Sequence, residues 1–272
     1  RKTLLTATLF ATVSTSAYAR EVPEGWQMAL GAGLLMNPAF RGAKDYQLSL
    51  LPYIRINYGD KFFASMHEGA GFNLIQTNSI TAGPIVRYRF SRKESDGTSP
   101  FRIAGSDTNA LQGLGDVDGA FEPGAFINYR FRPFSVELEV RRGFGGHEGW
   151  VSDINLNYST MLFWFGKRTI FNIGPRANLV SDNHNEAYYS INSVQSAQSG
   201  LPVYNASGGF LSYGVGASGI VAMTRKLSMV LFAGYDRMAG DAANSPLVSI
   251  RGSKNQATLG LFLAYQFGGQ SR

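Results

Sequence analysis

The 272-residue chain contains no cysteine, and this absence excludes several kinds of protein. A disulfide scaffold, a thiol nucleophile and a cysteine-ligated metal site all need thiols. Histidine is also scarce. The three histidines, His67, His147 and His184, lie far apart and have none of the spacings typical of metal ligands. Any function of the chain therefore has to be built from other side chains.

After residue 19 the chain also lacks an uncharged apolar run long enough for a membrane-spanning helix, which needs about 20 residues. Yet 44% of its residues are hydrophobic, and it contains 32 Gly, 19 Phe and 13 Tyr. A helical membrane protein is therefore excluded. The formal net charge of +6 is modest and no run of Lys and Arg accompanies it, so nucleic acid is not indicated as a partner.

The N-terminal segment has the pattern of a secretory signal peptide. Two basic residues precede an apolar run at 4–13, and a small-x-small triplet follows at 17–19. The run is too short for a membrane helix. We therefore expect residues 1–19 to be removed, residues 20–267 to form the folded protein, and residues 268–272 to be a short C-terminal tail.

A two-residue alternation dominates the C-terminal segment 254–267. Apolar residues from Ala257 to Phe267 occupy one face, small or polar residues occupy the other, and only Phe262 interrupts this second row. A strand has this pattern when lipid lies on one side of it and a polar or side-chain-filled lumen lies on the other. The segment therefore predicts a strand of an outer-membrane β-barrel.

The same alternation recurs along the rest of the chain. The apolar faces of these further segments begin at Tyr46, Ile80, Phe121, Val136, Ile154, Phe171 and Leu211. The last of them predicts Leu211 on the lipid face. Aromatic residues at segment ends fit the interfacial girdles of membrane barrels. A soluble β-sandwich also alternates, but it rarely has charged residues on the inward side of so many strands.

Long, turn-rich connections alternate with short ones, as in a barrel with long extracellular loops and short periplasmic turns. Counting back from a periplasmic C-terminus gives an odd number of strands if residues 61–75 form a single strand. An even count requires one more reversal, which we place at residues 67–71. The prediction is an all-β fold, a closed antiparallel transmembrane barrel of about twelve strands, with ten as the alternative.

Charged residues recur on the predicted inward face, and their signs nearly balance. They are Arg55, Arg87, Arg89, Arg130, Arg141 and Arg176, together with Glu122, Glu137, Glu139, Asp153 and Asp236. Charges inside a narrow barrel are tolerated when they pair with one another. We therefore predict a lumen charge network that fills the barrel rather than a pathway through it.

Five basic residues lie at predicted periplasmic turns: Arg132, Lys167, Arg168, Arg225 and Lys226. They would form a basic rim that attracts an acidic partner. Lys and Arg at strand ends also anchor a barrel at the membrane interface by snorkelling. The sequence allows both interpretations.

Seven segments resemble the MipA/OmpV family of outer-membrane proteins, the group that includes the MltA-interacting scaffold. They occur in order over nearly the whole mature chain, at 52–63, 83–90, 113–119, 199–204, 240–248, 251–256 and 264–267. The tail after Phe267 departs from the family, because such proteins usually end at the terminal aromatic residue. The resemblance implies a barrel without enzyme activity or cofactor in the Gram-negative outer membrane. It would contact membrane lipid and recruit murein hydrolases or synthases at the periplasmic face, although some relatives resemble surface adhesins.

Catalysis and metal binding are the weaker hypotheses. The candidates for a catalytic base are His147, which is followed by Glu148, and His184. Ser181, His184 and Glu186 are the residue types of a hydrolytic triad, but close neighbours in one loop seldom have triad geometry, which draws on separate elements. Asp116 and Asp118 present oxygens two residues apart, as a calcium loop does, but no further ligands are evident. We therefore expect neither an enzyme nor a metal site.

A small-solute pore is the alternative function. Twelve strands lie between the plugged eight-stranded barrels and the open porins of about sixteen strands. Glycines along the segment 210–223 would leave space inside the barrel. The sequence leaves open whether the segment 182–207 folds in to fill that space, and it does not define the oligomeric state.

Overall fold

The computed structural model describes residues 25–94, 101–105 and 108–268. The predicted signal peptide lies outside these residues, and so do residues 269–272 of the predicted tail. The main element is a sheet of fifteen antiparallel strands. None of the described helices has the length and apolar character that crossing a bilayer requires.

The strands in chain order are β1 (Trp26–Pro38), β2 (Tyr46–Tyr58), β3 (Phe62–Ser65), β4 (Gly69–Phe72), β5 (Ile75–Gln76), β6 (Ile80–Arg89), β7 (Arg102–Gly105), β8 (Ala120–Phe131), β9 (Phe134–Arg142), β10 (Phe144–Gly145), β11 (Trp150–Trp164), β12 (Lys167–Val180), β13 (Gly209–Ala222), β14 (Leu227–Met238) and β15 (Asn255–Phe267). The helices are α1 (Asp182–Tyr189), α2 (Ser193–Ser199), α3 (Gly240–Asn244) and α4 (Pro246–Ser249). All four helices lie in the two long connections that flank β13 and β14.

The sheet closes on itself. Neighbouring wall strands pair antiparallel, β6 pairs with β8, and β15 returns to β1 from Met28↔Phe267 to Met36↔Leu259. The short strands β5, β7 and β10 lie beside this circle. The prediction of a closed antiparallel barrel of twelve strands is confirmed. Closure removes the exposed strand edges that an open sheet of this size would present.

The additional reversal that an even strand count required lies between β3 and β4. It consists of Met66, His67 and Glu68, so it begins one residue earlier than the predicted range. Each of these two strands has only four residues. A full membrane crossing takes about 9–11 residues, so this hairpin covers only part of the height of the wall.

Solvent exposure follows the predicted alternation. On β15, the side chains of Leu259, Leu261 and Leu263 are exposed on the lipid face, whereas Phe262 is completely buried in the lumen. Aromatic residues lie at the ends of the strands, as the girdle of a membrane barrel requires. At the end where the chain begins and ends, the ring of Trp26 lies 5.0 Å from that of Tyr58. Because outer-membrane barrels have periplasmic termini, this end faces the periplasm.

The prediction that Leu211 faces lipid is wrong. Strands β12 and β13 change register between Asn178 and Leu179. An extra residue at such a shift reverses the side-chain direction beyond it. Leu211 is therefore buried and belongs to an apolar cluster with Val151 and Met238.

The four long connections pack together over the extracellular end of the barrel. One apolar cluster takes a buried residue from each of them: Phe40, Leu111, Leu201 and Leu247. Hydrogen bonds add to this packing, since the guanidinium of Arg251 donates to the backbone carbonyls of residues 110 and 112 at 3.0 and 2.9 Å. The connection between β12 and β13, left open by the sequence, is thus part of a packed extracellular cap.

Candidate functional site

Arg141 on β9 is the centre of the lumen charge network. Its guanidinium lies 2.5 Å from Glu122 Oε2 and 2.6 Å from Glu139 Oε1, and it also pairs with Asp153. The side chains of all four residues are at most 2% exposed. Buried carboxylates at such short range need further cations to neutralise them.

Two more arginines supply those cations. Arg87 Nε lies 2.7 Å from Glu139 Oε1, and Arg89 Nε lies 2.5 Å from Glu122 Oε1. Three guanidinium groups therefore meet three carboxylates. The six residues are located on β6, β8, β9 and β11, which are consecutive in the wall. The network cross-links four neighbouring strands from the inside.

The network is extended by residues that the sequence did not assign to it. His147 Nε2 is 2.9 Å from Glu122 Oε1. Asn178 donates a hydrogen bond to Asp153, and Arg41, from the first extracellular connection, donates to Asn178 in turn. These contacts join the charge network to the extracellular cap. Amphipathic alternation could not identify them, because two of these residues lie in loops.

The other predicted network residues lie apart from this centre. Arg176 and Asp236 form a separate pair, with Nε to Oδ1 at 2.8 Å and Nη2 to Oδ2 at 2.5 Å. Arg55 pairs at 2.9 Å with Glu68 in the β3–β4 turn, an acid that the prediction had not included.

Arg130 and Glu137 have no place at the network centre either. The Arg130 guanidinium donates to Thr81 Oγ1 at 3.0 Å and to the carbonyl oxygen of Thr77 at 3.2 Å. Glu137 is buried on β9, opposite Asn128 of β8 and Asn155 of β11. The predicted set thus divides into one six-membered cluster, one pair within the set, one arginine paired with the unpredicted Glu68, and two further residues.

Glycines along β13 and β14 make room for Arg176. A Cβ atom at Gly216 would lie 3.2 Å from its Nη1, and a Cβ atom at Gly234 would lie 2.3 Å from its Nη2. The space that the sequence suggested at Gly216 is therefore taken by the guanidinium that pairs with Asp236.

The residues considered for catalysis are not arranged as a triad. Ser181 Oγ accepts a hydrogen bond from the Trp150 backbone N–H at 2.9 Å, and Glu186 is exposed. His184 is buried instead against the ring of His147, with 5.0 Å between ring centroids. Burial, followed by the charge of Arg89, holds the pKa of His184 well below its ordinary value. Ser181 and His184 therefore make the contacts of a packed interior and not those of a catalytic triad.

Asp116, one of the two aspartates considered as calcium ligands, stabilises the structure of its loop. Asp116 accepts hydrogen bonds from the backbone N–H of Glu94 at 2.8 Å and from Lys93 Nζ at 2.9 Å. These two donors, the backbone N–H first, lower the pKa of Asp116. Within residues 25–94, 101–105 and 108–268, no three His, Asp or Glu side chains are placed to hold a metal ion.

The five basic residues of the rim lie on three turns. Arg132 is in the β8–β9 turn, Lys167 and Arg168 begin β12, and Arg225 and Lys226 precede β14. The strand order β8-β9-β11-β12-β13-β14 makes these three turns neighbours on one arc of the periplasmic end. All five residues are exposed.

The turns of this arc contain basic residues but no acidic ones. The segments 131–134, 164–168 and 223–227 contain no Asp or Glu. Lys167 Nζ also donates to the backbone carbonyl of Met223 at 3.3 Å, which connects two of the turns. Across the barrel, the β2–β3 turn has Lys61 next to Asp60. The basic rim is therefore a positive arc on one side of the barrel.

A family model described as MltA-interacting protein MipA matches residues 30–267. No curated protein matches the chain significantly. Solved structures with some likeness include Neisserial surface protein A, which is 8% identical with a TM-score of 0.27 over 90% of this chain and 98% of that chain. The NanC porin is 7% identical with a TM-score of 0.39 over 88% and 98%. OprD of Pseudomonas aeruginosa is 10% identical with a TM-score of 0.37 over 90% of this chain and 65% of that one. Likeness at this level carries no functional information.

Proposed function

Because the chain belongs to the MltA-interacting protein family and forms an outer-membrane β-barrel, we propose that it is a non-enzymatic scaffold that recruits murein-remodelling enzymes at its periplasmic face. The observation that carries the proposal is the basic rim on three neighbouring periplasmic turns. A scaffold of this kind needs a surface that periplasmic proteins reach, and the rim provides one.

The chemistry of the rim selects an acidic partner. A single exposed ion pair contributes only about 0–1 kcal/mol, so one residue of the rim would have little effect alone. Five cations on one arc act together and raise the rate at which an oppositely charged surface docks. The partner would therefore be a murein hydrolase or synthase with an acidic patch beside its membrane-proximal surface.

The pore, adhesin and enzyme hypotheses make less use of the basic rim and of the packed lumen. A small-solute pore needs a continuous lumen, whereas here three ion-paired arginines cross-link β6, β8, β9 and β11 under a packed cap. A surface adhesin would act through the extracellular connections and would not need the rim. The enzyme hypothesis depends on His147 and His184, which are both buried.

The test reverses charge at one position on each turn of the rim, with Arg132→Glu, Arg168→Glu and Lys226→Glu combined. We expect capture of purified murein hydrolases or synthases to weaken, most of all at low salt, where exposed charges are least screened. The matched control is Lys61→Glu, which removes a periplasmic cation from outside the arc. Planar-bilayer conductance should be the same in all variants.

Two results would overturn the scaffold: full partner binding by the triple variant at every salt concentration, or no capture of an envelope partner by the wild-type protein. A pore would instead respond to Arg87→Ala or Glu137→Ala with altered conductance or ion selectivity. An enzyme would lose activity on substitution of His147 or His184 and would respond to neither set.

A further inference from the structure

The β11–β12 hairpin extends beyond the strand next to it on the β9 side. Strand β9 pairs with β11 as far as Tyr158↔Phe134, and the Ser159 N–H then donates to the Pro133 carbonyl at 2.8 Å. There the neighbouring chain reverses through the β8–β9 turn. Strand β11, however, continues through residues 160–164, which pair with β12 alone among the described residues. These residues span roughly 16 Å at about 3.3 Å per residue.

Residues 160–164 present an unpaired strand edge on this side. Alternate residues of an antiparallel strand direct their hydrogen-bonding groups to the same neighbour. Since the Ser159 N–H points toward β9, the backbone groups of Met161 and Phe163 point the same way. No backbone group of residues 25–94, 101–105 or 108–268 pairs with them there. An unpaired edge of this kind is a template for a strand of another chain.

The ends of the described ranges lie away from this edge. Those at 94, 101, 105 and 108 belong to the extracellular connection between β6 and β8, whose strand β7 pairs with β2. Gly25 and Gly268 adjoin β1 and β15, which β12, β13 and β14 separate from β11. The edge is therefore formed between strands and turns that are all described.

The edge lies on the periplasmic side of the membrane interface. On the lipid face, the ring of Phe134 lies 5.8 Å from that of Phe131 and 5.5 Å from that of Tyr158. A row of aromatic rings of this kind marks the level of the lipid headgroups. Residues 160–164 continue past it toward the turn that carries Lys167 of the basic rim.

The inward face of the hairpin is apolar and exposed. Side chains alternate along a strand, so Met161 and Phe163 lie on the same face as Asn155, which is buried in the lumen. Phe163 is nevertheless 73% exposed, although it points away from lipid. Arg168 lies opposite Phe163 on β12, and its guanidinium donates to Met161 Sδ at 3.4 Å. The edge thus combines apolar side chains with a cation.

The tip of the hairpin carries an aromatic residue in an unfavourable conformation. Phe165 has a φ of +47° and Gly166 has a φ of +71°. Turns with two positive φ values favour Asn, Asp and Gly, because other side chains crowd the backbone in this region. Phe165 is also 87% exposed, so burial of its ring does not offset this cost. Its ring is available to a partner, and aromatic residues often dominate the energy of protein interfaces.

We propose that the β11 edge at residues 160–164 binds an extended acidic segment of a periplasmic protein as an added β-strand. This inference rests on the proposed scaffold function and identifies how the partner docks at the basic rim. The added strand would continue the line of β9 beyond the β8–β9 turn, and its main chain would pair with Met161 and Phe163. Its acidic side chains would meet Arg168 and the rest of the rim, whose turns contain no Asp or Glu.

The test compares two substitutions at one position of the edge. Phe163→Pro removes the N–H that points to the added strand and retains the ladder with β12, which uses the groups of the alternate residues. Phe163→Ala is the matched control, because it removes the same ring but keeps the N–H. Heat-modifiable migration on a gel shows that each variant is folded. Met161→Pro removes the second edge donor and replaces Phe163→Pro if that variant does not fold.

The readout is capture of the same purified murein hydrolases or synthases. We expect Phe163→Pro to bind them roughly tenfold more weakly than Phe163→Ala, because a main-chain hydrogen bond is lost and the proline ring blocks the approach of the added strand. The difference should persist at high salt, unlike the effect of reversing the rim charges.

A second measurement asks whether the hairpin lies in the bilayer instead. With Trp26, Trp150 and Trp164 replaced by Phe, Phe165→Trp is the single reporter at the tip, and Leu261→Trp in a second protein is the reference on the lipid face. In bilayers of brominated phospholipid, we expect Leu261→Trp to be quenched and Phe165→Trp to stay bright. Equal quenching of the two would place the hairpin in lipid and overturn the proposal.

The capture experiment separates failure of this inference from failure of the scaffold. Equal capture by Phe163→Pro and Phe163→Ala, with both variants folded, would overturn the added strand and leave the scaffold in place. Absence of capture by the wild type would overturn the scaffold and, with it, the docking mode that rests on it.

Discussion

The upper lumen and the cavity beside β2 are two different interiors within one barrel. In the upper lumen, three arginines and three carboxylates meet at ion-pair distance beneath a packed cap. In the cavity, which has a volume of about 40 Å³, the rings of Phe232, Phe262 and Tyr53 pack together. Buried charges need partners at fixed positions, whereas apolar burial is non-directional. The charged interior therefore depends on the positions of its strands more than the aromatic interior does.

The pairing of the wall strands matches this difference. Around the charge network, β6 and β8 pair from Ile80↔Tyr129 to Arg89↔Ala120, and β9 and β11 pair over the whole of β9. Beside the cavity, β4 and β6 pair only at Ala70↔Val86 and Gly71↔Ile85. Regions with few ladder contacts open at lower free energy. The short hairpin is thus the part of the wall where an opening is least costly.

The largest expected effect comes from Arg141→Met in the charge network. Removing this guanidinium leaves Glu122, Glu139 and Asp153 buried with too few cations, and breaking a buried pair in this way costs about 3–5 kcal/mol. Urea unfolding in lipid vesicles measures the loss. The control is Arg142→Met at the next position, on the outer face.

Arg142 contacts the rings of Phe144 and Trp150 at 5.6 and 5.9 Å, and such cation–π contacts contribute about 0.5–1 kcal/mol at exposed sites. A similar loss of stability for Arg141→Met and Arg142→Met would mean that the lumen charges are hydrated and contribute little to stability. The contrast between the two interiors would then be one of composition alone.

A smaller effect is expected at the separate ion pair of Arg176 and Asp236. In Gly234→Ala the new methyl group would meet the guanidinium of Arg176, so the pair has to shift, at a cost of about 1–3 kcal/mol. Gly219→Ala on β13 is the matched control, since its Cβ atom would approach only Thr169 Cγ2, at 3.9 Å. The same unfolding assay distinguishes them, and equal stability of the two variants would contradict the close fit of Arg176.

The faces of the strands could be predicted because the period of two is a local property of the chain. The reversal between β3 and β4 followed from the even strand count of a closed barrel. Leu211 was misplaced because a register shift depends on pairing with β12, which the alternation of one strand does not record. The helices α1 to α4 were also missed, since they are short and lie in loops.

Prediction of the candidate sites had the same limit, because local alternation identifies the face of a residue but not its partners. Inward-facing charges on β6, β8, β9 and β11 were predicted from alternation, but the choice of partners was not. Glu68, His147 and Arg41 reach those charges from turns and connections, whose positions depend on tertiary packing. Phe262 was noticed as an interruption of the polar row of β15. Its role in a cavity required the positions of Tyr53 and Phe232, which are distant in sequence.

The smallest expected effect is a pH dependence confined to the cap. The titratable groups that face His184 are Tyr188, whose ring centroid lies 4.9 Å away, and Arg89, His147 and Glu122. Burial is the main reason why the pKa of His184 lies well below the ordinary value of about 6.5. Since the pKa is lower in the folded than in the unfolded state, the unfolded state binds more protons as the solution is acidified. The stability that neutral His184 gives to the cap is therefore present above about pH 6.5 and is lost progressively as the pH falls below that value.

Limited proteolysis of the connection between β12 and β13 at pH 7.5 and pH 5 measures this dependence. We expect faster cleavage at the lower pH in the wild type, and a smaller difference in His184→Phe, which keeps a ring against His147 but cannot be protonated. Glu186→Gln changes an exposed group on the same helix and should retain the wild-type response. Equal pH dependence in His184→Phe and the wild type would assign the response to groups other than His184.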